Sequence, residues 1–517
     1  MKIKTTYIHL ILMTIFTFTE SINILVVMPH IGKSHQLVFE PLFKKLTEKH
    51  KLTIITRYPQ KNPGLNRRDI NIAPDYLDIS DTEILSFNNF TGSRIEKYTT
   101  VNLLAFIAHQ ACKDGLSHPN YMKFLKENNH FDLILIEVFN TPCFMGVAKK
   151  FNAPMIGLSS CMWLPWTFKW FGSDSNPSYV PNHFLDHTDR MSFLARVENT
   201  LIHIYSNIVY NSVIEKSGRQ ISKEYTDIDF NENGDIMGNI SLLLINTHFI
   251  LNSRLPMSPN SIGVGGIHVD SVPVKPLPQD LERIVNDSKH GVIYMSMGST
   301  LRGDSFPEDK KQAILKAFSR IPQRIVWKWE GEMKNKPENV LTYRWVPQRD
   351  ILCHPNTKLF ISHGGLLGTI ETINCGKPVL LLPQFGDQFA NAAAVEQNGG
   401  GLVLNMNDVN DEILYEKLQI LLSTNFSTSA KELSIRYKDR PLSPMDTALY
   451  WIEYVWRHKG AHFMKIESVD MPLYKYYLLD VITFLSIIAL IVFYVIYAIS
   501  KYVLTKLFIR QEKIKSS

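Results

Sequence analysis

At 517 residues the chain has room for two domains of ordinary size plus accessory segments. Its formal net charge of +6 is accounted for at the two ends: Lys2 and Lys4 at the start, and Lys501, Lys506, Arg510, Lys513 and Lys515 against Glu512 after Ser500. The body between is neutral, which excludes a broad basic field for nucleic acid and leaves any anionic ligand to be held by local groups.

Five cysteines (Cys112, Cys143, Cys161, Cys353, Cys375) show no CxxC or His–Cys spacing, so neither a zinc site nor a disulfide framework is indicated. Lys2 and Lys4 precede an apolar run over residues 7–18 and the small residues Thr19 and Ser21. Residues 1–21 therefore read as a secretory signal peptide, the run being well short of the ~20 residues a membrane span needs. A continuous apolar strand over 22–28 follows, then a loop from Pro29 to His35, an amphipathic helix over 36–49 and a strand over 52–56. This β-α-β order predicts a parallel sheet. Further strands are expected at 131–137 and 154–158. The aromatic stretch over 161–171 reads as core, domain interface or a pocket for a lipophilic molecule.

This first domain is expected to cover 22–260, with the proline-rich stretch that follows as a linker over 261–285. A second αβ series over 286–435 opens with a strand at 291–296 that turns at Met297-Gly298-Ser299. A helix at 307–320 and a strand at 324–329 lead into the most informative stretch. There a strand over 358–362 breaks into His363-Gly364-Gly365, a helix carries Gly368 and Glu371, and a strand over 378–382 ends at Asp387-Gln388. A helix over 387–397 then stops at Asn398-Gly399-Gly400-Gly401. A strand running into a glycine pair at a helix start exposes backbone N–H groups and the positive end of the helix dipole, a geometry suited to a diphosphate. Ligands of open α/β sheets bind at that edge.

Closing helices are expected over 436–476 and a transmembrane helix over 477–500, in which residues 481–500 carry no charge and span about 30 Å. The basic tail 501–517 then lies in the cytosol by the positive-inside rule, with the body lumenal. Lys513 and Lys515 fit either a dilysine retrieval signal or lysines at the membrane surface. Four Asn-x-Ser/Thr sites, at Asn89, Asn239, Asn286 and Asn425, are compatible with a lumenal body.

Trp345, Gln348, His363, Gly364, Gly365, Glu371, Pro378, Pro383, Asp387 and Gln388 together resemble, in spacing, the signature of the UDP-glycosyltransferase family, and the His-Gly-Gly-Leu-Leu wording is most similar to its arthropod branch. The resemblance implies an α/β GT-B fold, with two Rossmann-like domains facing a cleft, and a C-terminal membrane helix. It implies that His363 and the Gly364–Gly365 backbone, with Gly368 and Ser299, hold the diphosphate of a UDP-sugar. Trp345 would stack on uracil, Gln348 would bond its edge, Glu371 would take the ribose hydroxyls, and Asp387 and Gln388 would read the sugar.

The Gly32-Lys33-Ser34-His35 segment matches the family's base histidine, which His30 does not. Glu137 stands where vertebrate members place the aspartate that orients that histidine, with Asp132 as the competing acid at the strand's other end. Leu367 stands where vertebrate members have asparagine, and the resemblance to the arthropod branch implies a neutral sugar. The reading is metal-independent, inverting transfer of glucose, or else glucuronic acid, from UDP to small lipophilic hydroxyl compounds in the endoplasmic reticulum, with no other cofactor. A membrane-anchored nucleotide-sugar-binding protein without catalysis is the alternative. Oligomeric state and acceptor stay open.

Overall fold

The computed structural model describes residues 21–74, 96–232 and 236–515, apart from 253, 271, 300 and 302. The predicted signal peptide, but for Ser21, and Asn89 lie outside the described residues. The chain divides into one compact unit up to Lys465 and a second from Ile466 onward.

The first unit contains two wholly parallel sheets. Strands β1 (Asn23–Met28), β2 (Lys51–Thr56), β3 (Arg67–Asn71), β4 (Leu133–Glu137), β5 (Met155–Ser159), β6 (Leu242–Ile245) and β7 (Ser261–Gly263) lie in the order β3-β2-β1-β4-β5-β6-β7. The second sheet takes β8 (Val292–Ser296), β9 (Arg324–Lys328), β10 (Val340–Tyr343), β11 (Thr357–Ser362), β12 (Val379–Leu381) and β13 (Gly401–Val403) in the order β10-β9-β8-β11-β12-β13. In each sheet the chain starts centrally, winds to one edge, and returns across the starting strand. That reversal opens a crevice at the carboxyl ends of β1 and β4, and of β8 and β11. The strands are apolar throughout because helices cover both faces: Ile24, Leu25, Val26 and Val27 are all fully buried.

Helix α1 (Lys33–Leu46) turns Val38, Phe39, Leu42 and Phe43 into the first sheet. It starts three residues earlier than the sequence pattern suggested, Gly32 being its N-cap, so His35 sits in its first turn rather than in a loop. The stretch expected to be a linker contains β7, which pairs with β6, and the one-turn helix Ile267–Asp270. Three residues, Ser261-Ile262-Gly263, are enough to extend the sheet by one edge strand between the flanking prolines.

Of the remaining helices, α2 (Glu96–Ser117) and α3 (Phe193–Val209) belong to the first half, and α4 (Leu366–Asn374) and α5 (Gln388–Gln397) to the second. After α6 (Thr424–Lys438), α7 (Pro444–Arg457) returns to the first half. Its Met445, Ala448, Ile452 and Val455 share a cluster with Ile24, Val26, Phe39 and Phe43, each large side chain contributing roughly 1.5–3 kcal/mol by burial. Lys49 pairs with Glu453 at 2.6 Å on its rim.

Two disulfides, Cys112–Cys143 and Cys353–Cys375, form although no disulfide framework was indicated by the spacing; Cys161 is free and buried. Their sequence separations of 31 and 22 carry no signature, and only folding brings the Cα pairs to 5.9 and 4.7 Å. In the second unit, α8 (Leu479–Lys515) contains one stretch, Leu479–Arg510, long and apolar enough to cross a bilayer. The helix continues through the tail residues beyond the predicted span.

Candidate active site

Met28 ends β1, and the chain passes through Pro29-His30-Ile31-Gly32 into α1. This places His35 beside Glu137, the last residue of the neighbouring strand β4. His35 Nδ1 lies 2.7 Å from Glu137 Oε1, and the carboxylate side chain is completely buried while the imidazole keeps partial access to solvent. Glu137 Oε2 accepts the backbone N–H of His30 at 3.2 Å. The extra methylene relative to aspartate thus leaves both oxygens engaged. Ser160, just beyond β5, places Oγ 2.8 Å from the same His35 nitrogen. A proton on Nδ1 is shared between carboxylate and hydroxyl, which leaves Nε2 as the ring's acceptor.

His30 is unsuited to the same work. Its ring stacks on His35 at 3.9 Å, and the edge of Phe139 packs against both. His30 Nδ1 accepts the Gly32 N–H at 2.9 Å, so its one lone pair is spent, and Nε2 is buried without a partner among the described residues. Burial, then the nearby His35 and Arg57, hold its pKa well below the usual histidine range. Asp132 is at the far end of β4, where it accepts the Asn23 N–H at 2.8 Å. His30, His35 and Glu137 do bring three ligand-type atoms within 4.8 Å of one another, a grouping the sequence did not reveal. The bonds above already occupy Nδ1 of both rings and the carboxylate.

The second sheet presents its own edge. Strands β8 and β11 end alike: Ser296 Oγ accepts the Gly298 N–H and Ser362 Oγ accepts the Gly364 N–H, each at 3.2 Å, and both glycines have φ near +85° (84 and 86°). The His363 ring fills the space between Gly298 and Gly365, where an added Cβ would stand 2.6 and 2.5 Å from it. Burial, with Lys328 nearby, lowers its pKa to about 4, so His363 is neutral at physiological pH. Gly364 spends its N–H on Ser362. The open donors are therefore those at the start of α4, whose N-cap Gly365 offers no side chain. Ser299 lies partly exposed just after Gly298.

Trp345 is 68 % exposed, not a core residue, and presents a free indole face. Gln348 Nε2 donates to Glu371 Oε2 at 2.7 Å, and a Cβ on Gly368 would stand 3.0 Å from that nitrogen. Gly368 thus packs against Gln348 and makes room for it. Burial lifts the Glu371 carboxyl to about 7, against the pull of its Gln348 bond. At the end of β12, Gln388 Oε1 accepts the N–H groups of Gln384 and Phe385, which shapes the loop and leaves only its amino end for another partner. Asp387 takes Asn391 Nδ2 at 2.9 Å, and Asn391 also donates to Gly364 O. Burial raises the Asp387 pKa, opposed by the Asn391 bond and by the charge of His35, so the two halves feel each other across the crevice. Arg349 fixes their approach by donating to Val269 O at 2.6 Å and to Val272 O. Leu367 packs on the apolar cluster of the first sheet, where α4 meets the helix Ile267–Asp270.

Sequence reasoning missed Ser160, Phe139 and the buried Lys328–Glu330 pair, whose Glu330 accepts the Gly303 N–H at 2.7 Å. All four lie at the carboxyl ends of strands, and that rule applied to every strand would have found them. The aromatic stretch proves to be core: Trp163 stacks on Phe168 and Trp166 on Tyr210, and Trp166 Nε1 donates to Phe139 O at 3.1 Å. Asn239, Asn286 and Asn425 are all exposed.

Residues 75–514 match the model of the family described as UDP-glucoronosyl and UDP-glucosyl transferase. UDP-glycosyltransferase UGT5 of Dactylopius coccus is 40 % identical over 501 residues, covering 95 % of this chain and 94 % of that one. UDP-glucuronosyltransferase 1A7 of Mus musculus is 33 % identical over 409 residues, covering 78 and 76 %. Among solved structures, TcCGT1 in complex with UDP and the spinosyn forosaminyltransferase SpnP each superpose with a TM-score of 0.56 at 15 % identity. These cover 85 and 84 % of this chain and all of theirs, a likeness of fold that agrees with the expected GT-B architecture. With two facing parallel sheets and a family match over most of its length, the chain belongs to the UDP-glycosyltransferase family.

Proposed function

We propose that this protein transfers glucose from UDP-glucose to a hydroxyl group of small lipophilic acceptors, as a detoxification-type conjugation. The observation that carries this reading is the His35–Glu137 pair at the carboxyl edge of the first sheet, Nδ1 and Oε1 lying 2.7 Å apart. His35 Nε2 takes the acceptor's proton as its oxygen attacks the anomeric carbon, and Glu137 holds the ring and stabilises the imidazolium that forms. The bond from that carbon to the diphosphate breaks on the opposite side, so a single displacement inverts the centre and UDP departs. The developing charge on the diphosphate falls to the amides at the start of α4, Ser299 and the neutral His363, each well-placed donor being worth roughly 3 kcal/mol.

Trp345 supplies the uracil platform, Gln348 the base edge and Glu371 the ribose contact, with Asp387 and the amino end of Gln388 on the sugar. Leu367 faces the first domain's apolar cluster, which supports a neutral sugar over glucuronic acid. The scheme calls for no metal: His35 Nδ1 is engaged by Glu137, and His30 Nδ1 accepts the Gly32 N–H. We read α8 as a single-pass type I anchor in the endoplasmic reticulum with the body lumenal, a topology supported by the two disulfides and the exposed sequons.

The test is product formation by the purified full chain from several UDP-sugars and a panel of phenols. Glycoside from UDP-glucose is expected, with transfer nearly abolished and UDP binding retained in His35→Ala. Turnover by that variant comparable to wild type would reject His35 as base. UDP binding without any product would leave the binding-protein reading in its place.

A further inference from the structure

His35 Nδ1 faces two oxygens, Glu137 Oε1 at 2.7 Å and Ser160 Oγ at 2.8 Å. A carboxylate can only accept, so Nδ1 carries the proton that both oxygens share and has no lone pair to offer in return. Ser160 Oγ therefore accepts as well, and its own proton points away from the imidazole. Among the described residues no other acceptor lies within bonding distance of it. Ser160 is buried, and a donor left unpaired at that depth is costly. Nor is its backbone free to turn aside. Asn246, fully buried just beyond β6, donates Nδ2 to Ser160 O at 2.9 Å and accepts the Gly266 N–H at 3.1 Å through Oδ1. The hydroxyl is thus held at the carboxyl end of β5, next to the strand that ends in Glu137. A second polar group nearby also lacks a partner. His183, on the segment between the aromatic stretch and α3, is buried, and no hydrogen bond reaches its Nδ1 among the described residues. Burial, then the charge of His35, hold its pKa at about 3, so it is neutral and within electrostatic reach of the base.

We propose that the Ser160 hydroxyl donates to the acceptor, and that the favoured acceptors carry a second oxygen, as hydroxyl, ether or carbonyl, beside the hydroxyl that receives the sugar; this rests on the transferase reading above. Nδ1 and Nε2 of an imidazole are separated by a single ring carbon. A molecule whose reacting hydroxyl lies on Nε2 therefore reaches the Ser160 side with an adjacent substituent. During transfer the reacting O–H proton passes to Nε2, the oxygen bonds to the anomeric carbon, and the bond from that carbon to UDP breaks with its electron pair. Ser160 keeps its proton throughout. Pairing that proton polarises the hydroxyl and makes Oγ a better acceptor for the Nδ1 proton, so the second oxygen strengthens the base as well as the binding. An acceptor without it leaves the donor buried and unpaired, the kind of loss by which sites built to bond a substrate oxygen reject analogues that lack one.

The test compares 2-methoxyphenol with 2-ethylphenol, which is nearly equal in shape but lacks the neighbouring oxygen. The full chain is used, with UDP-glucose and, in parallel, UDP-glucuronic acid as donors. Values of kcat/KM are measured for wild type, Ser160→Ala and Ser160→Thr, each first checked for UDP binding. Wild type should favour the methoxy compound by about 3- to 10-fold, the worth of one neutral hydrogen bond. The alanine variant should bring that ratio close to one, and threonine should restore it. A wild-type ratio near one would overturn the proposal without recourse to any variant. So would an alanine variant that slows both compounds by the same factor, which would leave Ser160 as a support for His35 alone. Absence of product from both compounds with either donor, UDP still being bound by wild type, would refute the transferase reading and this contact with it.

Discussion

Replacing Glu137 by glutamine isolates the charge behind His35 from the space it fills. The wild-type carboxylate is fully buried and 2.7 Å from Nδ1. Once the ring is protonated, charge centres about 4 Å apart attract by roughly 4 kcal/mol at an effective dielectric of ~20, equivalent to about three decades in rate. Glutamine preserves an acceptor for the His30 N–H but forfeits that attraction. If its NH2 turns toward Nδ1, the proton moves to Nε2 and the acceptor lone pair is lost as well. The expected outcome is a fall in kcat of about 10²- to 10³-fold, with the Kd for UDP unchanged because the nucleotide contacts are on the second sheet. Glu137→Asp withdraws the carboxylate by about one bond length, ~1.5 Å, and should fall between wild type and glutamine. Initial rates with UDP-glucose and a phenol, alongside calorimetric UDP titration, measure both quantities. A glutamine variant within threefold of wild-type kcat would refute the role given to Glu137.

Trp345→Ala should raise the Kd for UDP by about 10- to 100-fold, the usual worth of base stacking at 1–3 kcal/mol, with Tm hardly altered because the indole is exposed. An unchanged Kd would remove it as the uracil platform. Glu371 is lifted to about 7 by burial, so the folded state binds its proton more tightly than the unfolded chain does. Its contribution to stability is present at acid pH and lost as pH rises from about 4.5 through 7, while the ionised form is the better acceptor for ribose hydroxyls. Wild type should therefore bind UDP more tightly at pH 8 than at pH 6, and Glu371→Gln should flatten both that trend and the pH dependence of Tm. Removing the Cys112–Cys143 crosslink, which closes a separation of 31 residues, should lower unfolding free energy by about 3.7 kcal/mol in the chain-entropy account, read by urea denaturation of the double serine variant.

Much of the fold was legible because parallel strands buried on both faces must be apolar along their length. Residues 24–27, 133–136 and 359–361 announce themselves without any tertiary knowledge. The linker bounds of 261–285 took in β7, since an edge strand of three residues among prolines has no periodicity to detect. Helix α1 was placed late because Lys33, Ser34 and His35 are polar, although its hydrogen bonding begins before its apolar face does. Trp345 could be read as core or platform from its neighbours, and only its exposure separates the two.

By itself the sequence determined the two αβ halves, the apolar terminal helix and the spacing of the groups at the edge of the second sheet. These follow from local periodicity, glycine placement and the order of residues along the chain. Tertiary structure alone decided what depends on separate segments meeting: which histidine keeps an acceptor nitrogen, which cysteines pair, and where the glycines stand against His363 and Gln348. It also decided that α3 turns Leu194 and Leu201 outward and Asn199 inward, since a hydrophobic period specifies a face but not the direction it points. Direction is set by which side chains find hydrogen-bond partners inside, and those partners come from distant parts of the chain.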